Sequence, residues 1–223
     1  MQKKGRRELV YDHIIHSRLY DNTIYTGQYW DYMLPLAAAF KKPRILVIGL
    51  GGGTIPFQIR KKFGVSARVD VVEISREMER LSRAFLPEDP HARIILCDGL
   101  EYLRKTRSRY DVIISDPYIS GEMPSEFFGA GFAEAASRAL KPSGILGINL
   151  ALTLRSMSKR RAMRRALGKE FTTYCLHYPG SSGNLVYVCS KKLRMGEMLE
   201  RITANFSADE RSAVLFGAYS KAR

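Results

Sequence analysis

The sequence predicts an α/β fold: a doubly wound, mostly parallel seven-stranded sheet that ends in an antiparallel hairpin and carries a short N-terminal appendage. Three observations support this class. An apolar, β-branched run at 44–49 leads through four glycines into a helical pattern at 54–63. Strand and helix patterns then alternate, which is typical of a parallel sheet covered on both faces. The last two strand patterns, 171–178 and 185–190, are joined by a short glycine-containing link, which indicates antiparallel pairing.

The first strand, its glycine turn at 49–53 and the following helix form the unit around which the chain is organised. Glycine allows positive φ and lets a ligand approach the backbone closely. The helix behind the turn offers unpaired N–H groups at its N-terminus. This order of elements is how doubly wound domains hold a nucleotide-type ligand, although glycine turns also occur for packing reasons alone.

The other elements of the predicted domain follow at regular spacing. Ser75 is the expected N-cap of the second helix, and a long loop covers 116–124 before the fourth helix. Right-handed crossovers fix most of the topology. The predicted order is strand 68–74, helix 76–86, strand 93–97, helix 100–105, strand 111–115, helix 125–140, turn 141–144, strand 145–150 and a basic helix at 155–169.

The segment before the first strand is too short to form a core of its own, so we expect it to pack on the main domain as a lid or flap. Residues 20–27 suggest a hairpin or strand-turn element with Asp21-Asn22 as its turn, and 28–40 suggest a helix that Pro35 either begins or kinks. The predicted division is an N-terminal strand and helix segment at 1–43, a Rossmann-like nucleoside-binding catalytic domain at 44–192 and a C-terminal helical tail at 193–223.

Three successive predicted strands are followed by, or end in, an acidic residue: Glu73, Asp98 and Asp116. In an open α/β sheet the ligand crevice lies at the carboxyl ends of the strands, and an acid about 20 residues past the glycines accepts hydrogen bonds from ribose hydroxyls. Glu73 suits that role, and Asp98 could accept from an exocyclic amine. Asp98 with Glu101 also fits a capping box, and Asp116-Pro117 could begin a turn.

Composition limits the class of protein. The 223 residues are 45% hydrophobic and 26% charged, which excludes a disordered chain. No apolar run approaches the length of a membrane span, and no signal-peptide core follows the basic N-terminus, so we expect a cytoplasmic protein with no membrane partner. The cysteines, Cys97, Cys175 and Cys189, lie in apolar strand patterns without metal-type spacing, and we expect them to be reduced and buried.

The formal net charge is +14, which attracts polyanions without specifying one. Nucleic acid is therefore one interpretation of the basic residues, but no nucleic-acid-binding motif accompanies them. A solvated basic surface is the competing interpretation, and it also covers the basic helix at 155–169.

Several of these stretches resemble the spermidine synthases, polyamine aminopropyltransferases with the fold of class I S-adenosylmethionine-dependent methyltransferases. The likeness covers residues 20–192 in outline. It rests on Gly49-Leu50-Gly51-Gly52-Gly53, Val72-Glu73-Ile74-Ser75, Cys97-Asp98-Gly99-Leu100-Glu101-Tyr102-Leu103, Tyr110-Asp111-Val112-Ile113-Ile114-Ser115-Asp116-Pro117 and Tyr178-Pro179-Gly180.

The resemblance implies S-adenosylmethionine or its decarboxylated form as co-substrate, no metal, and a small-molecule amine as acceptor. Glu73 would hold the ribose, Ile74 would pack on adenine, and Asp98 with Gly99 would bind the adenine edge. Asp116 and Tyr178 would be catalytic, and Tyr25 would lie near the cofactor. The implied cofactor-binding residues are Gln28, Gly49, Gly51, Gly53, Glu73, Ile74, Asp98 and Gly99.

The sequence departs from the family at two acidic positions. The family has an aspartate where this chain has Gly52 and a second one where it has Ile119, which leaves Asp116 and Glu122 as the acids of that loop. Most of the family's N-terminal β-domain is also missing. A diamine must lose a proton before it attacks, and a carboxylate both attracts it and accepts that proton. The site would therefore prefer another amine or an uncharged nucleophile.

Three functions remain open on the sequence. The first is aminopropyl transfer to an amine, which is polyamine-type chemistry. The second is methyl transfer from S-adenosylmethionine to a small molecule or RNA. The third is nucleoside binding without catalysis. A homodimer contact through residues 194–223 is also left open.

Overall fold

A seven-stranded sheet forms the centre of the computed structural model, which describes residues 3–151, 157–177, 184–208 and 210. Its elements in chain order are β1 (Arg7–Tyr11), β2 (Ile14–Leu19), α1 (Trp30–Ala38), β3 (Arg44–Ile48), α2 (Thr54–Phe63), β4 (Arg68–Glu73), α3 (Arg76–Phe85), β5 (Arg93–Leu96), α4 (Gly99–Lys105), β6 (Tyr110–Ser115), α5 (Ala130–Ala139), β7 (Leu140–Ala151), α6 (Met157–Glu170), β8 (Thr172–His177), β9 (Asn184–Ser190) and α7 (Met195–Thr203). Short 3-10 helices cover Gly64–Ser66 and Ser125–Phe128.

The strand order across the sheet is β5-β4-β3-β6-β7-β9-β8. Strands β3 to β7 pair in parallel, whereas β9 runs antiparallel to both β7 and β8. The predicted fold class is therefore confirmed, including the antiparallel hairpin at its end. The order reverses at β3, which lies between β4 and β6, because the chain winds first to one side of β3 and then to the other.

The apolar runs give strands close to the predicted bounds; the central strands are buried on both faces of the sheet, whereas the edge strand β5 is partly exposed. All of β6 is buried, and so is β3 after Arg44. The predicted N-cap at Ser75 is confirmed, since its hydroxyl accepts a hydrogen bond from the Met78 amide at 3.1 Å. The last crossover helix, α6, also falls where its basic pattern was predicted.

The predicted hairpin at residues 20–27 is wrong, because none of these residues lies in a strand. The hairpin lies earlier, where β1 pairs antiparallel with β2. Asp12 and His13 form its turn with φ of 49° and 60°. Two successive positive φ values match the right-handed twist of the strands, and neither residue is the glycine that usually marks such a turn.

Two further expectations are corrected after residue 124. The predicted helix over 125–140 is divided by Gly129, whose extended backbone (φ −100°, ψ 170°) separates a 3-10 helix from α5. The predicted turn at 141–144 lies inside the long strand β7. Its pairing with β6 passes from Tyr110–Leu140 directly to Val112–Ile145. Residues 141–144, which include Pro142, therefore form an irregularity within the strand and do not pair with β6.

Hydrophobic side chains form one core on each face of the sheet. Helix α1 is entirely buried and packs with α2, α7 and residues such as Ile45 and Val47 on one face. Leu46, Ile48 and helices α4, α5 and α6 form the other core. Alternate residues of β3 thus point into different cores, as the two-residue period of a strand requires.

Asp31 anchors the N-terminal segment to this framework. It is 2% exposed, and its carboxylate accepts hydrogen bonds from the Thr26 amide (2.9 Å), the Gly27 amide (2.6 Å) and the Gln58 side chain (2.7 Å). The Thr26 hydroxyl also donates to it at 2.9 Å. Because buried donors without a partner are costly, this carboxylate fixes the chain just before Tyr29.

The C-terminal residues also hold the N-terminal segment. Glu210 accepts hydrogen bonds from the Tyr25 hydroxyl at 3.0 Å and from Lys62 at 2.5 Å. Of the predicted C-terminal helical tail at 193–223, the described residues include α7, and most of the remainder lies outside the described residues. No helix in the described parts of the chain combines the length and apolar character needed to cross a membrane.

We predict that Asp31→Ala lowers the free energy of unfolding by roughly 3 kcal/mol, because it leaves several buried donors unpaired. Urea denaturation measures this change. Asp21→Ala is the control, since Asp21 is 64% exposed and its ion pair with Arg7 spans 3.6 Å; that variant should lose less than about 1 kcal/mol. Equal losses in the two variants would contradict the anchoring role of Asp31.

Candidate active site

The crevice opens where the strand order reverses, at the carboxyl end of β3, which is where ligands bind in folds of this type. Gly49 follows β3 with φ of 89°, and its amide donates to the Val72 carbonyl at 2.9 Å. A Cβ at Gly49 would lie only 2.2 Å from the Asp116 carbonyl oxygen. Glycine is therefore required here both by conformation and by the close approach of the chain after β6.

A cavity of about 340 Å³ lies in this crevice, within the size range of small-molecule sites. A smaller cavity of about 50 Å³ adjoins it and shares the wall formed by Gly49, Glu73, Ile74, Tyr118 and Ile119. The other residues of the larger cavity come from the hairpin, the residue before α1, the glycine turn, the start of α3, the loop after β6 and the ends of β7 and β9. They are Tyr11, Ile14, Ile15, His16, Tyr29, Gly51, Ser75, Met78, Asp116, Gly121, Asn149, Ala151 and Asn184.

Glu73 lies at the junction of the two cavities and holds the glycine turn. It is 7% exposed, and its carboxylate accepts hydrogen bonds from the Leu50 and Ser75 amides, each at 2.8 Å. Each carboxylate oxygen retains a further lone pair that can accept from a ligand hydroxyl. Ile74 beside it is 57% exposed and lines both cavities, so its side chain offers an apolar surface to a ligand.

Asp98 and Gly99 line the smaller cavity. Asp98 is also the N-cap of α4, because its carboxylate accepts from the Glu101 amide at 2.7 Å. Both interpretations of the sequence therefore fit the same side chain. A Cβ at Gly99 would lie 2.3 Å from the Ile48 side chain, so this glycine lets α4 begin close to β3.

Asp116 follows β6 and faces the larger cavity. One of its carboxylate oxygens accepts from the Tyr29 hydroxyl at 2.8 Å, and the other accepts from the Asn149 amide group at 2.7 Å. Burial raises the pKa of Asp116 to about 7, while these two hydrogen bonds oppose the rise. Burial and the neighbouring Asp116 raise the pKa of Tyr29 well above its usual value, so Tyr29 stays a hydroxyl donor.

Two asparagines extend this network across the sheet. Asn184 on β9 donates to the Asn149 side-chain oxygen at 2.7 Å, which leaves the Asn149 amide group directed at Asp116. Tyr118 lies nearby, where its hydroxyl accepts from the Ala151 amide at 2.7 Å. No sequence motif marks Tyr29, Asn149 or Asn184. These residues are far apart in the chain and meet only through sheet pairing.

Not every predicted site residue reaches the cavities. Gly49, Gly51, Glu73, Ile74, Asp98, Gly99 and Asp116 line one or both of them. Gln28 does not, and its neighbour Tyr29 lines the larger cavity instead. Gly53 has φ of 86° and is the N-cap of α2. Tyr25 donates to Glu210. Tyr178 lies outside the described residues. Whether these residues contact a ligand stays a prediction.

Strand β2 lies directly on the glycine turn. The Ser17 hydroxyl accepts from the Thr54 amide at 3.2 Å and is 2.6 Å from the Thr54 hydroxyl, so the hairpin caps the N-terminus of α2. A Cβ at Gly52 would lie 2.5 Å from the Ser17 Cβ and 2.8 Å from the Leu9 side chain. The hairpin therefore fills the space that a side chain at Gly52 would need.

The family follows from a match over most of the chain. Residues 31–194 match the model of the spermine/spermidine synthase domain. The chain belongs to the spermine/spermidine synthase family.

Within that family, a polyamine aminopropyltransferase from Prochlorococcus marinus is 28% identical over 184 residues, which are 73% of this chain and 62% of that protein. One from Alkaliphilus oremlandii is 34% identical over 159 residues, which are 65% of this chain and 53% of that protein. The chain thus spans between half and two thirds of the length of these relatives.

Solved structures agree on the fold. A probable spermidine synthase from Corynebacterium glutamicum superposes with a TM-score of 0.72 at 21% identity, covering 99% of this chain and 89% of that one. Human methyltransferase-like protein 13 in complex with SAH gives 0.65 at 23% identity, covering 87% of this chain and 93% of that one. The spermine/spermidine synthase family member described here thus has the class I methyltransferase fold.

We predict that Gly52→Asp displaces the hairpin, since its side chain would overlap Ser17 and Leu9. Hydrogen exchange should show amides of β1 and β2 exchanging about tenfold faster or more. Gly168→Asp is the matched control, because no atom lies within 4 Å of a Cβ there. Unchanged protection of the hairpin in Gly52→Asp would show that its packing on the turn is loose.

We also predict that Tyr29→Phe raises the pKa of Asp116 above about 7, because a hydrogen bond donated to the carboxylate favours its charged form. Carbon-13 NMR of labelled aspartate carboxyl groups follows this titration. Tyr118→Phe serves as the control, because the Tyr118 hydroxyl contacts backbone atoms of β7 rather than Asp116. An unchanged or lowered pKa in Tyr29→Phe would contradict the assigned hydrogen bond.

Proposed function

We propose that this protein is a spermidine-synthase-like transferase that binds an S-adenosylmethionine-type nucleoside and transfers an aminopropyl group to an amine. The observation that supports the proposal most directly is the position of Asp116. Its carboxylate lies in the larger cavity, at the carboxyl end of β6, and accepts hydrogen bonds from two donors. Membership of the spermine/spermidine synthase family and its aminopropyltransferase relatives support the reaction class.

The residues around the crevice fit a nucleoside. Glu73 is placed to accept from ribose hydroxyls, Ile74 offers an apolar face, and Asp98 lies at the wall of the smaller cavity beside Gly99. The backbone of Gly49 and Gly51 borders the larger cavity without side chains. When bound, decarboxylated S-adenosylmethionine would supply a sulfonium-activated carbon, and the protein's main task would be to align the amine with that carbon.

Asp116 suits the proton transfer that such an amine needs. An amine is protonated near neutral pH and attacks only after it loses that proton. A carboxylate with a pKa of about 7 accepts a proton far better than an ordinary aspartate, and it still ionises at neutral pH. Tyr29 and Asn149 both donate to Asp116, so they would hold its carboxylate in one orientation toward the cavity.

Methyl transfer from intact S-adenosylmethionine is the second candidate, and Gly52 favours it. The glycine turn has no carboxylate at this position, and packing against Ser17 leaves no room for one. A carboxylate-bearing tail would therefore meet no repulsion from the turn. Calorimetry with the intact and decarboxylated forms separates the candidates: preference for the decarboxylated form favours aminopropyl transfer, and preference for the intact form favours methyl transfer.

We predict that Asp116→Asn lowers kcat for methylthioadenosine release from decarboxylated S-adenosylmethionine by about 10²–10⁴-fold with amine acceptors. The base acts as the carboxylate, so kcat/KM of the unmodified protein should rise with pH through about 7, and this inflection should vanish in Asp116→Asn. Ionisation of the amine itself would remain as a separate rise at higher pH. Chromatographic assay of methylthioadenosine across pH measures both effects.

Glu122→Gln is the matched control for this experiment. Glu122 belongs to the same loop, but its side chain is 77% exposed, it does not line either cavity, and its ion pair with Lys159 spans 3.9 Å. Its loss should leave the rate and the pH profile unchanged. Equal activity in Asp116→Asn and the unmodified protein would overturn Asp116 as the base, and no methylthioadenosine with any amine would overturn aminopropyl transfer.

A further inference from the structure

The larger cavity contains little negative charge. Glu73 and Asp116 are the only carboxylates among its described lining residues. Both oxygens of Glu73 already accept from backbone amides, and both oxygens of Asp116 already accept from Tyr29 and Asn149. Since Glu73 is assigned to the ribose hydroxyls, Asp116 is the one carboxylate of the described lining left to meet a cationic substrate.

The loop after β6 directs its second acidic residue, Glu122, away from this cavity. Ile119 and Glu122 pair through two backbone hydrogen bonds of 2.9 and 3.0 Å, around Ser120 and Gly121 with φ of 48° and 78°. This tight turn places Ile119 at the cavity wall, 54% exposed, while Glu122 lies outside the lining. The side chain that the loop offers to a ligand is thus aliphatic.

The hairpin supplies the facing wall, and none of its lining residues, which are Tyr11, Ile14, Ile15 and His16, is a carboxylate. Ile14 and Ile15 line the cavity, and a Cβ at Gly121 would lie 3.0 Å from the Ile14 side chain, so the hairpin and the loop meet there. The Tyr11 hydroxyl donates to Glu77 at 2.9 Å, which commits Glu77 to a residue at the rim. The apolar surface thus continues from the loop to the hairpin.

Ala151 and Asn184 complete the described lining at the ends of β7 and β9, and neither side chain carries a charge.

The lack of carboxylates on this wall restricts which amines the site would accept. A diamine carries two ammonium groups near neutral pH. Asp116 can meet the one that reacts, but the second would lose its hydration against isoleucine side chains, where the described lining offers no further carboxylate; Glu77 at the rim lies outside that lining. Burial of an unpaired charge is strongly unfavourable, whereas an alkyl or aromatic group gains free energy on the same surface.

We propose that the acceptor is an amine with a single amino group and an apolar or aromatic body, rather than a polyamine. This inference rests on the proposed aminopropyl transfer. In that step the amine first gives a proton to the Asp116 carboxylate. Its nitrogen lone pair then forms the new C–N bond while the C–S bond breaks, and the bonding pair remains on sulfur as a neutral thioether. The product leaves as a secondary ammonium, and Asp116 then releases the proton it accepted to water, which restores the carboxylate.

Hexylamine and diaminohexane, which has an amino group at each end, form the matched test pair. We expect kcat/KM for methylthioadenosine release to be about tenfold higher or more with hexylamine. Equal or greater kcat/KM with diaminohexane would overturn the proposal. Ile119→Asp should raise the value for diaminohexane relative to hexylamine by about tenfold, because it places a carboxylate on the wall. Ile119→Asn, of similar size and no charge, should not.

A binding measurement tests the acceptor class independently of turnover. Calorimetry of both amines with the protein saturated in methylthioadenosine should give the tighter Kd for hexylamine, and Ile119→Asp should reduce or reverse the difference. If no transfer occurs with any amine but this ranking holds, the proposed reaction fails while the acceptor class stands. If diaminohexane binds more tightly to the unmodified protein, the acceptor class fails whatever the reaction.

Discussion

The close approach of Gly49 to the carbonyl of Asp116 is the constraint on which the site depends. It occurs where the chain leaves the middle strand and where strand order reverses, so the loop after β6 must pass within 2.2 Å of the place a Cβ would occupy. Any other residue there would push the two loops apart. The same contact determines how far the Asp116 carboxylate lies from the glycine turn, and so links the proposed nucleoside end of the crevice to the proposed acceptor end.

Around that contact, the protein holds Asp116 with neutral hydrogen-bond donors rather than with cations. Asp116 is held by a hydroxyl and an amide group, and the amide is itself oriented by Asn184. Neutral donors stabilise the carboxylate less than a cation would, which lets burial keep its pKa near neutrality. An arginine or lysine in the place of Asn149 would return the carboxylate to ordinary acidity and weaken it as a proton acceptor.

Much of the fold was accessible from the sequence because burial on both sides of a parallel sheet leaves long apolar runs, as at 44–48 and 110–115. The acids at strand ends were accessible for a related reason: parallel strands end at one edge, so Glu73 and Asp116 had to meet. The hairpin could not be predicted from the sequence, because its turn at Asp12-His13 lacks the usual glycine and its strands are polar and short.

The partners of Asp116 could not be predicted either. Tyr29 precedes α1, Asn149 lies in β7 and Asn184 begins β9, and only the completed sheet brings them within 2.8 Å of their acceptors. Their types are common and their spacing carries no motif. The loop after β6 gave a similar difficulty: Ile119 and Glu122 are close in sequence, and only the turn between them decides which faces the cavity.

Strand β2 touches two parts of the crevice at once. Its Ser17 caps the helix behind the glycine turn, while Ile14 and Ile15 belong to the apolar wall. Replacements in this strand would therefore disturb both ends of the crevice together, and a lineage could rarely change one end without altering the other. The turn at 119–122 is coupled in the same way, because Ile119 lines both cavities, so a new acceptor preference acquired there would also alter the wall of the proposed nucleoside pocket.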